Sequence, residues 1–135
     1  MTIRYLTASE LLWIAEQFLG RTVEVRDPGL LDSAVTRPAS SMMGVEAYPT
    51  IDLKAAALLD STVNNHALID GNKRLGLIAV ATFYEVNGFY FDPPLDDVYE
   101  LVMAVADGSQ RDVAKIAEVL ASWRAPLAPD ENRLT

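Results

Sequence analysis

The sequence predicts an all-α fold, a compact helical bundle packed around one buried central helix. Apolar residues recur at helical spacing along most of the chain. Strand signals are limited to two short stretches, residues 3–6 and 88–91. Residues 72–86 are apolar around nearly the whole helix circumference, which is typical of a helix surrounded by other helices.

Two helices are predicted in the first 37 residues from the signals at their ends. Thr7 begins a capping-box pattern, and Gly20 stands where a glycine would end the helix. The Asp-Pro pair at 27–28 supplies an N-cap and a first-turn proline for a second, shorter helix. The Arg-Pro pair at 37–38 ends this helix, because a residue before proline is displaced from the helical region.

An irregular segment, residues 38–51, separates the second helix from the third. It contains two prolines, a glycine and two serines without a sustained period. Loops of this length are often functional flaps. Asp52 is expected to cap the third helix, whose apolar positions continue to Val63.

Three further helices are predicted after residue 71. The central helix is expected over residues 72–86, and the next helix over residues 94–107, before a glycine. Ser109 or Asp112 is expected to start the last one, which has an apolar face.

Length and composition limit the classes of protein that the chain can represent. Its 135 residues suit one domain, predicted over residues 1–125, and the polar segment 126–135 is predicted to be a disordered tail. The absence of cysteine excludes disulfides and thiolate metal sites. Neither a signal peptide nor an apolar run long enough to span a bilayer is present, so a cytoplasmic protein without a membrane partner is expected.

The net charge also argues against one class of partner. The chain has 19 acidic and 11 basic residues, for a net charge of −8. Binding to nucleic acid depends on a basic surface that neutralises phosphates, so direct nucleic-acid binding is not expected. The acidity increases solubility, or it helps to select a basic protein partner.

The residues that carry chemistry are concentrated between His66 and Arg74, where the sequence is His-Ala-Leu-Ile-Asp-Gly-Asn-Lys-Arg. His66 is the only histidine and follows one predicted helix, whereas Gly71 precedes the next. The unpaired N–H groups and positive dipole end of a helix N-terminus favour phosphate binding. Gly71 allows the backbone to approach an anion, and Asn72 can cap the helix or hold the loop. Lys73 and Arg74 add two cations to this predicted cradle.

Two neighbouring side chains complete a predicted transfer site. His66 can accept a proton from an attacking hydroxyl near neutral pH, and Asp70 can hold Mg²⁺ against phosphate oxygens. Taken singly, a histidine is usually a packing or capping group, and Asp-Gly-Asn is usually a turn. The combination of base, metal carboxylate and phosphate cradle indicates phosphoryl or nucleotidyl transfer.

The same stretch resembles the Fic/Doc signature, His-x-Phe-x-Asp/Glu/Asn-Gly/Ala-Asn-Gly/Lys-Arg. The signature is matched at six positions: His66, Asp70, Gly71, Asn72, Lys73 and Arg74. The order of helices is similar as well, so the likeness covers about residues 3 to 124. It implies a helical Fic fold that transfers a phosphate-containing group from a nucleotide to a protein hydroxyl. ATP and Mg²⁺ are implied, with the histidine as base, the acid at the metal, and the Asn, Lys and Arg around the phosphates.

Three positions within the signature refine this resemblance. Lys73 is similar to the Doc toxin type, which implies a kinase that transfers the γ-phosphate of ATP to a threonine of elongation factor Tu. Gly71 is more similar to Fic enzymes that transfer AMP, so a protein AMP transferase is the alternative. An inactive Fic-fold interaction module is the alternative from another class. Leu68 replaces the family's Phe, which packs the loop against the core.

The resemblance also implies two interaction sites. In the family, a flap before the motif, a short β-hairpin, pairs with the extended target peptide. The candidates here are Met42, Met43, Gly44 and Val45, although an ordinary connecting loop is the other interpretation. No inhibitory pattern Ser/Thr-x-x-x-Glu-Gly/Asn occurs in the chain. A toxin of this type is therefore expected to be inhibited by a separate antitoxin, through a helical segment that docks on the domain.

Overall fold

A computed structural model describes residues 2–128 and confirms the all-α prediction. Within this range there are six α-helices: α1 (Ala8–Leu19), α2 (Pro28–Thr36), α3 (Ile51–Asn64), α4 (Asn72–Val86), α5 (Leu95–Asp107) and α6 (Val113–Ala121). A 3-10 turn (Arg37–Ala39) follows α2. Two antiparallel strand pairs are short: β1 (Ser41–Met42) with β2 (Val45–Glu46), and β3 (Phe89–Phe91) with β4 (Arg124–Pro126).

The first two helices begin at the residues that the sequence predicts. The Thr7 hydroxyl accepts a hydrogen bond from the Glu10 backbone N–H at 3.1 Å, and the Glu10 carboxylate accepts from the Thr7 N–H at 3.0 Å. Gly20 ends α1 in the left-handed conformation, with φ 66°. The Asp27 carboxylate caps α2 by accepting from the Leu30 N–H at 3.1 Å. These ends follow from local chemistry alone, which explains why the sequence reveals them.

The predicted cap of α3 is wrong by two residues. Thr50 caps the helix by accepting from the Leu53 N–H at 3.1 Å. Asp52 lies in the first turn and accepts from the Tyr84 hydroxyl at 2.7 Å and from the Arg124 guanidinium at 2.8 and 3.0 Å. Thr and Asp are both good N-caps, so local preference does not distinguish them. The distant partners Tyr84 and Arg124 engage the Asp52 carboxylate and leave the cap to Thr50.

The segment after α6 is more ordered than predicted, up to the end of the described range. Pro126 pairs with Phe89 in the strand pair β3–β4, and the Leu127 N–H donates to the Gly88 carbonyl at 2.9 Å. The sequence predicts both residues to be part of a disordered tail, because the composition of this segment does not reveal that Pro126 has a partner 37 residues earlier, Phe89. Residues 129–135 of that predicted tail lie outside the described residues.

Helices α3 and α4 form the centre of the domain and run antiparallel. Gly76 of α4 faces Val63 of α3, and Tyr84 of α4 reaches Asp52 at the opposite end of α3. Phe83 and Tyr84 are fully buried, as predicted for the central helix. No helix within residues 2–128 has the length and apolar character required to cross a membrane. The pair places its connecting loop, residues 65–71, at one end of the bundle.

Candidate active site

The loop between α3 and α4 is held closed by the Asn72 side chain. Its Oδ1 accepts from the Leu68 N–H at 3.0 Å, and its Nδ2 donates to the Leu68 carbonyl at 3.1 Å. Of the two roles predicted for Asn72, holding the loop is therefore the observed one. The Leu68 side chain is buried in the core, so leucine keeps the apolar anchor that the usual phenylalanine supplies.

A second segment, residues 24–27 before α2, braces the same loop from outside. The backbone N–H groups of Arg26 and Asp27 both donate to the Ala67 carbonyl, at 2.8 and 3.1 Å. The Ile69 N–H donates to the Glu24 carbonyl at 3.1 Å. These bonds satisfy backbone groups that the loop itself leaves unpaired and fix the path of the chain beyond His66.

His66 lies at a turn of the loop, directly after the end of α3. Its φ of 54° is in the left-handed region, which a residue other than glycine seldom adopts. Its carbonyl accepts two hydrogen bonds from the Arg26 side chain, from Nε at 2.9 Å and from Nη2 at 2.5 Å. The sequence does not reveal Arg26 as a site residue, because no local pattern connects it with a residue 40 positions later.

The predicted motif residues line one cleft of about 400 Å³, a volume within the range of small-ligand sites. The six that match the signature are His66, Asp70, Gly71, Asn72, Lys73 and Arg74. Three apolar residues outside the prediction complete the lining: Val63, Ile69 and Ala106. Ala106 comes from α5, and only the packing of α5 beside the loop brings it there.

The N-terminus of α4 opens on this cleft without a side-chain cap, and Asp70 lies just before it. Gly71 is the N-cap, with φ 91°, and provides no side chain to the first N–H groups of the helix. The first turn contains no acidic residue. Lys73 and Arg74 are exposed, and neither forms an ion pair within 4 Å in the part of the chain that the structure describes. This is the arrangement that favours an anionic ligand.

Comparison with known proteins identifies the family. The sequence model of the Fic/DOC family matches residues 5–84, more than half of the chain. The chain belongs to the Fic/Doc family. It is also similar to the protein named "Toxin Doc" from Mycolicibacterium smegmatis, with 42% identity over 123 residues, which cover 90% of this chain and 94% of the relative. The matched family range runs from α1 into α4, and therefore contains the whole loop from His66 to Arg74.

The four flap candidates of this Fic/Doc chain form an exposed hairpin and do not line the cleft. Met42 and Val45 pair across β1 and β2, and Met43 and Gly44 make the turn, with φ of 52° and 81°. Two positive φ values are characteristic of the tight turns that suit hairpin twist. Within residues 2–128 the pair has two strands, and no third strand covers its outer edges, so their backbone groups can accept an added strand.

The base of this hairpin is anchored to α3. The buried Lys54 ammonium donates to the Glu46 carboxylate at 3.0 Å. Arg37 donates to the Tyr48 hydroxyl at 3.0 Å and to the Asp60 carboxylate at 2.7 Å. The hairpin is therefore connected to the first half of α3 through Lys54, and the neighbouring Tyr48 is connected through Arg37 to Asp60 in the second half.

Proposed function

We propose that this Fic/Doc chain is the toxin of a toxin–antitoxin system. In this proposal it is a Doc-like kinase that transfers the γ-phosphate of ATP to a Ser or Thr hydroxyl of a translation protein, elongation factor Tu, and so arrests translation in the cytoplasm. The observation that carries the proposal is the single cleft shared by His66 and the uncapped, cationic N-terminus of α4. The likeness to a protein named as a Doc toxin supports the toxin assignment.

The residues of the cleft supply a proton acceptor and a phosphate cradle. His66 accepts the proton of the attacking hydroxyl. The hydroxyl oxygen forms a bond to the γ-phosphorus as the bond from that phosphorus to the bridging oxygen breaks, and ADP leaves. The first N–H groups of α4, with Lys73 and Arg74, stabilise the charge on the phosphate oxygens, and arginine can hold two of them at once.

Asp70 is the residue that would hold Mg²⁺. Within residues 2–128 there is no group of three or more His, Asp or Glu side chains able to hold a metal alone. A single carboxylate in a phosphate cleft fits Mg²⁺, which is often bound by one or two carboxylates together with substrate phosphates. When bound, the ion would neutralise charge on the phosphates, and we propose that it arrives with ATP.

The identity of the transferred group depends on two positions. Lys73 favours phosphate transfer, because its side chain stands where AMP-transferring Fic enzymes have a glycine that leaves room for nucleotide phosphates. Gly71 favours AMP transfer, since it is similar to the residue in those enzymes. Both residues line the cleft, and we propose phosphate transfer because the Lys73 side chain adds charge and bulk there, whereas Gly71 adds no side chain.

Labelled ATP distinguishes the two reactions. The purified protein is incubated with elongation factor Tu and ATP labelled on either the γ- or the α-phosphate, and His66→Ala serves as the control. We expect label on the target from γ-labelled ATP only, and at least about 100-fold less with His66→Ala, the scale of a lost general base. Label from α-labelled ATP only would identify an AMP transferase. If neither label were transferred and both forms had the same effect on growth, an inactive interaction module would be indicated.

For the antitoxin, we propose docking of a helical segment in a groove between α4 and α5. The groove has a volume of about 350 Å³ and shares Lys73 and Arg74 with the cleft. The rest of its lining is apolar: Leu77, Leu95, Val98, Tyr99, Val102 and Met103. Leu95 and Tyr99 are 84% and 66% exposed, which is unusual for large apolar side chains. An amphipathic helix with an acidic residue facing Arg74 would bury this surface. Its carboxylate would pair with the Arg74 guanidinium, which could then no longer bind ATP.

This docking site predicts a separation of toxicity from neutralisation. Tyr99→Asp should remain toxic but should no longer be rescued by co-expressed antitoxin, because a carboxylate would be buried against an apolar helix. Phe18→Asp is the control, since Phe18 is a similarly exposed aromatic residue, on α1. Growth assays with both variants test the site. Rescue of Tyr99→Asp, or loss of rescue with Phe18→Asp alone, would contradict the groove.

A further inference from the structure

Arg26 contacts the proposed base but is not part of the motif. Its guanidinium donates from Nε and Nη2 to one acceptor, the carbonyl oxygen of His66, at 2.9 and 2.5 Å. It forms no ion pair with an acid among the residues that the structure describes. The carbonyl of His66 is therefore the contact that holds the Arg26 side chain over the loop.

His66 needs an external restraint to keep its conformation. Its φ of 54° is in the left-handed region, which is unfavourable for a residue with a β-carbon. At His66 the chain turns away from the axis of α3. The backbone conformation at this turn determines the direction in which the imidazole points. That side chain lines the cleft. A relaxation of φ toward the ordinary helical region would carry the imidazole away from its present direction.

The other bonds across the loop restrain residues beyond His66. Ala67 and Ile69 are bonded to the backbone of residues 24–27. Within residues 2–128, the hydrogen bonds that engage His66 are the two from the Arg26 side chain. Removal of the Arg26 guanidinium would leave His66 without these two hydrogen bonds. The backbone hydrogen bonds from residues 24–27 to Ala67 and Ile69 would remain.

We propose that Arg26 is a positioning residue for the transfer reaction, because its guanidinium holds His66 in the left-handed conformation that directs the imidazole to the cleft. The proposal rests on the proposed role of His66 as base. Arg26 does not line the cleft, so it acts through His66 and not on the nucleotide.

Steady-state kinetics separate positioning from attraction of the nucleotide. Arg26→Ala should lower kcat by about 10- to 100-fold, the effect of a small displacement of a catalytic group, and should leave KM for ATP within about twofold. Arg26→Lys keeps the charge but lacks the planar fork, so it should restore little of kcat. Arg21→Ala removes an exposed arginine from the segment between α1 and α2, which also contains Arg26. Its kcat and KM should match those of the wild type. A raised KM that lysine restores would overturn the proposal.

A second measurement needs no substrate and tests positioning directly. His66 is the only histidine, so the protein with its purification tag removed has a single imidazole Cε1–H signal in a ¹H–¹³C spectrum. At a fixed pH we expect this signal to shift and broaden in both Arg26→Ala and Arg26→Lys but not in Arg21→Ala, with amide signals dispersed as in the wild type. An unchanged imidazole signal in both Arg26 variants would overturn the proposal. A wild type without transfer activity would count against the proposed function alone.

Discussion

Lys73 and Arg74 occupy the one turn of α4 where a helix is least tolerant of positive charge. The dipole of the helix disfavours cations there, by about 0.3–1 kcal/mol each at exposed sites. The Gly71 cap adds no counter-charge. A phosphate bound there would reverse the sign of this interaction, because it would lie between the N–H groups and the two side chains. The local instability of the free cleft would thus be the physical source of the proposed affinity for a phosphate.

Arg74→Ala measures the strength of this cradle at the level of one residue. We expect ATP to bind about 30-fold more weakly, corresponding to on the order of 2 kcal/mol for a charge-assisted contact. Calorimetric titration of ATP into both proteins gives the difference. Arg21→Ala is the control for loss of one exposed positive charge that does not line the cleft. Equal affinities for wild type and Arg74→Ala would refute the cradle.

At the scale of elements, the contact between α3 and α4 depends on a missing side chain. A β-carbon at Gly76 would lie 2.7 Å from Val63 Cγ2 and 3.3 Å from Leu59 Cδ1. Val63 is stiff and buried, so it has little freedom to move away. The glycine lets the two helices approach closely, and the same approach sets the ends of the loop that holds His66.

Gly76→Ala should therefore destabilise the protein despite the higher helix propensity of alanine. Overpacking costs about 1–3 kcal/mol, and the gain in propensity is about 1 kcal/mol, so a net loss of up to about 2 kcal/mol is expected. Urea unfolding of the wild type, both single variants and the Gly76→Ala/Val63→Ala double variant tests the mechanism. The double variant should lose less free energy of unfolding than the two single variants lose in sum. Strict additivity would show that Gly76 and Val63 do not compete for the same space.

At the scale of the whole molecule, Asp52 connects both central helices to the C-terminal strand β4. Its carboxylate accepts from Tyr84 of α4 and from Arg124 of β4, and its side chain is 17% exposed. Burial acts to raise the pKa of Asp52, but the hydrogen bonds from Arg124 and Tyr84 and the charge of Arg124 outweigh it and leave the pKa lowered. Burial and the bond to Asp52 raise the pKa of the Tyr84 hydroxyl, which remains a donor.

This network predicts a particular sensitivity to acid. A carboxyl group with a lowered folded-state pKa contributes stability that is complete above its unfolded pKa, near 3.8, and is lost as the pH falls through the folded value. Asp52→Asn should be less stable than the wild type at pH 7 and should lose less free energy of unfolding between pH 5 and pH 2. Urea unfolding across this range measures both effects, with the exposed Asp32→Asn as control. An equal loss in wild type and Asp52→Asn would contradict the role of this carboxylate.

The sequence by itself determined what depends on neighbours in the chain. Caps such as Thr7 and Asp27, the glycine that ends α1, and the extent of α4 follow from bonds within a few residues, and the motif residues share a cleft because they lie in one loop. The Fic/Doc signature was recognisable for the same reason.

Only the tertiary structure decided which distant residues meet. Arg26 contacts His66, 40 residues later. Asp52 binds Tyr84 and Arg124, 32 and 72 residues later, and does not cap its helix. Strand β4 pairs with β3, about 35 residues earlier. The residue types at these positions are common on protein surfaces and at the first turns of helices, so no local sequence pattern predicts the contacts. These contacts form only when the packing of α3 against α4 brings the segments together, because long-range polar partners depend on the path of the chain and not on its local preferences.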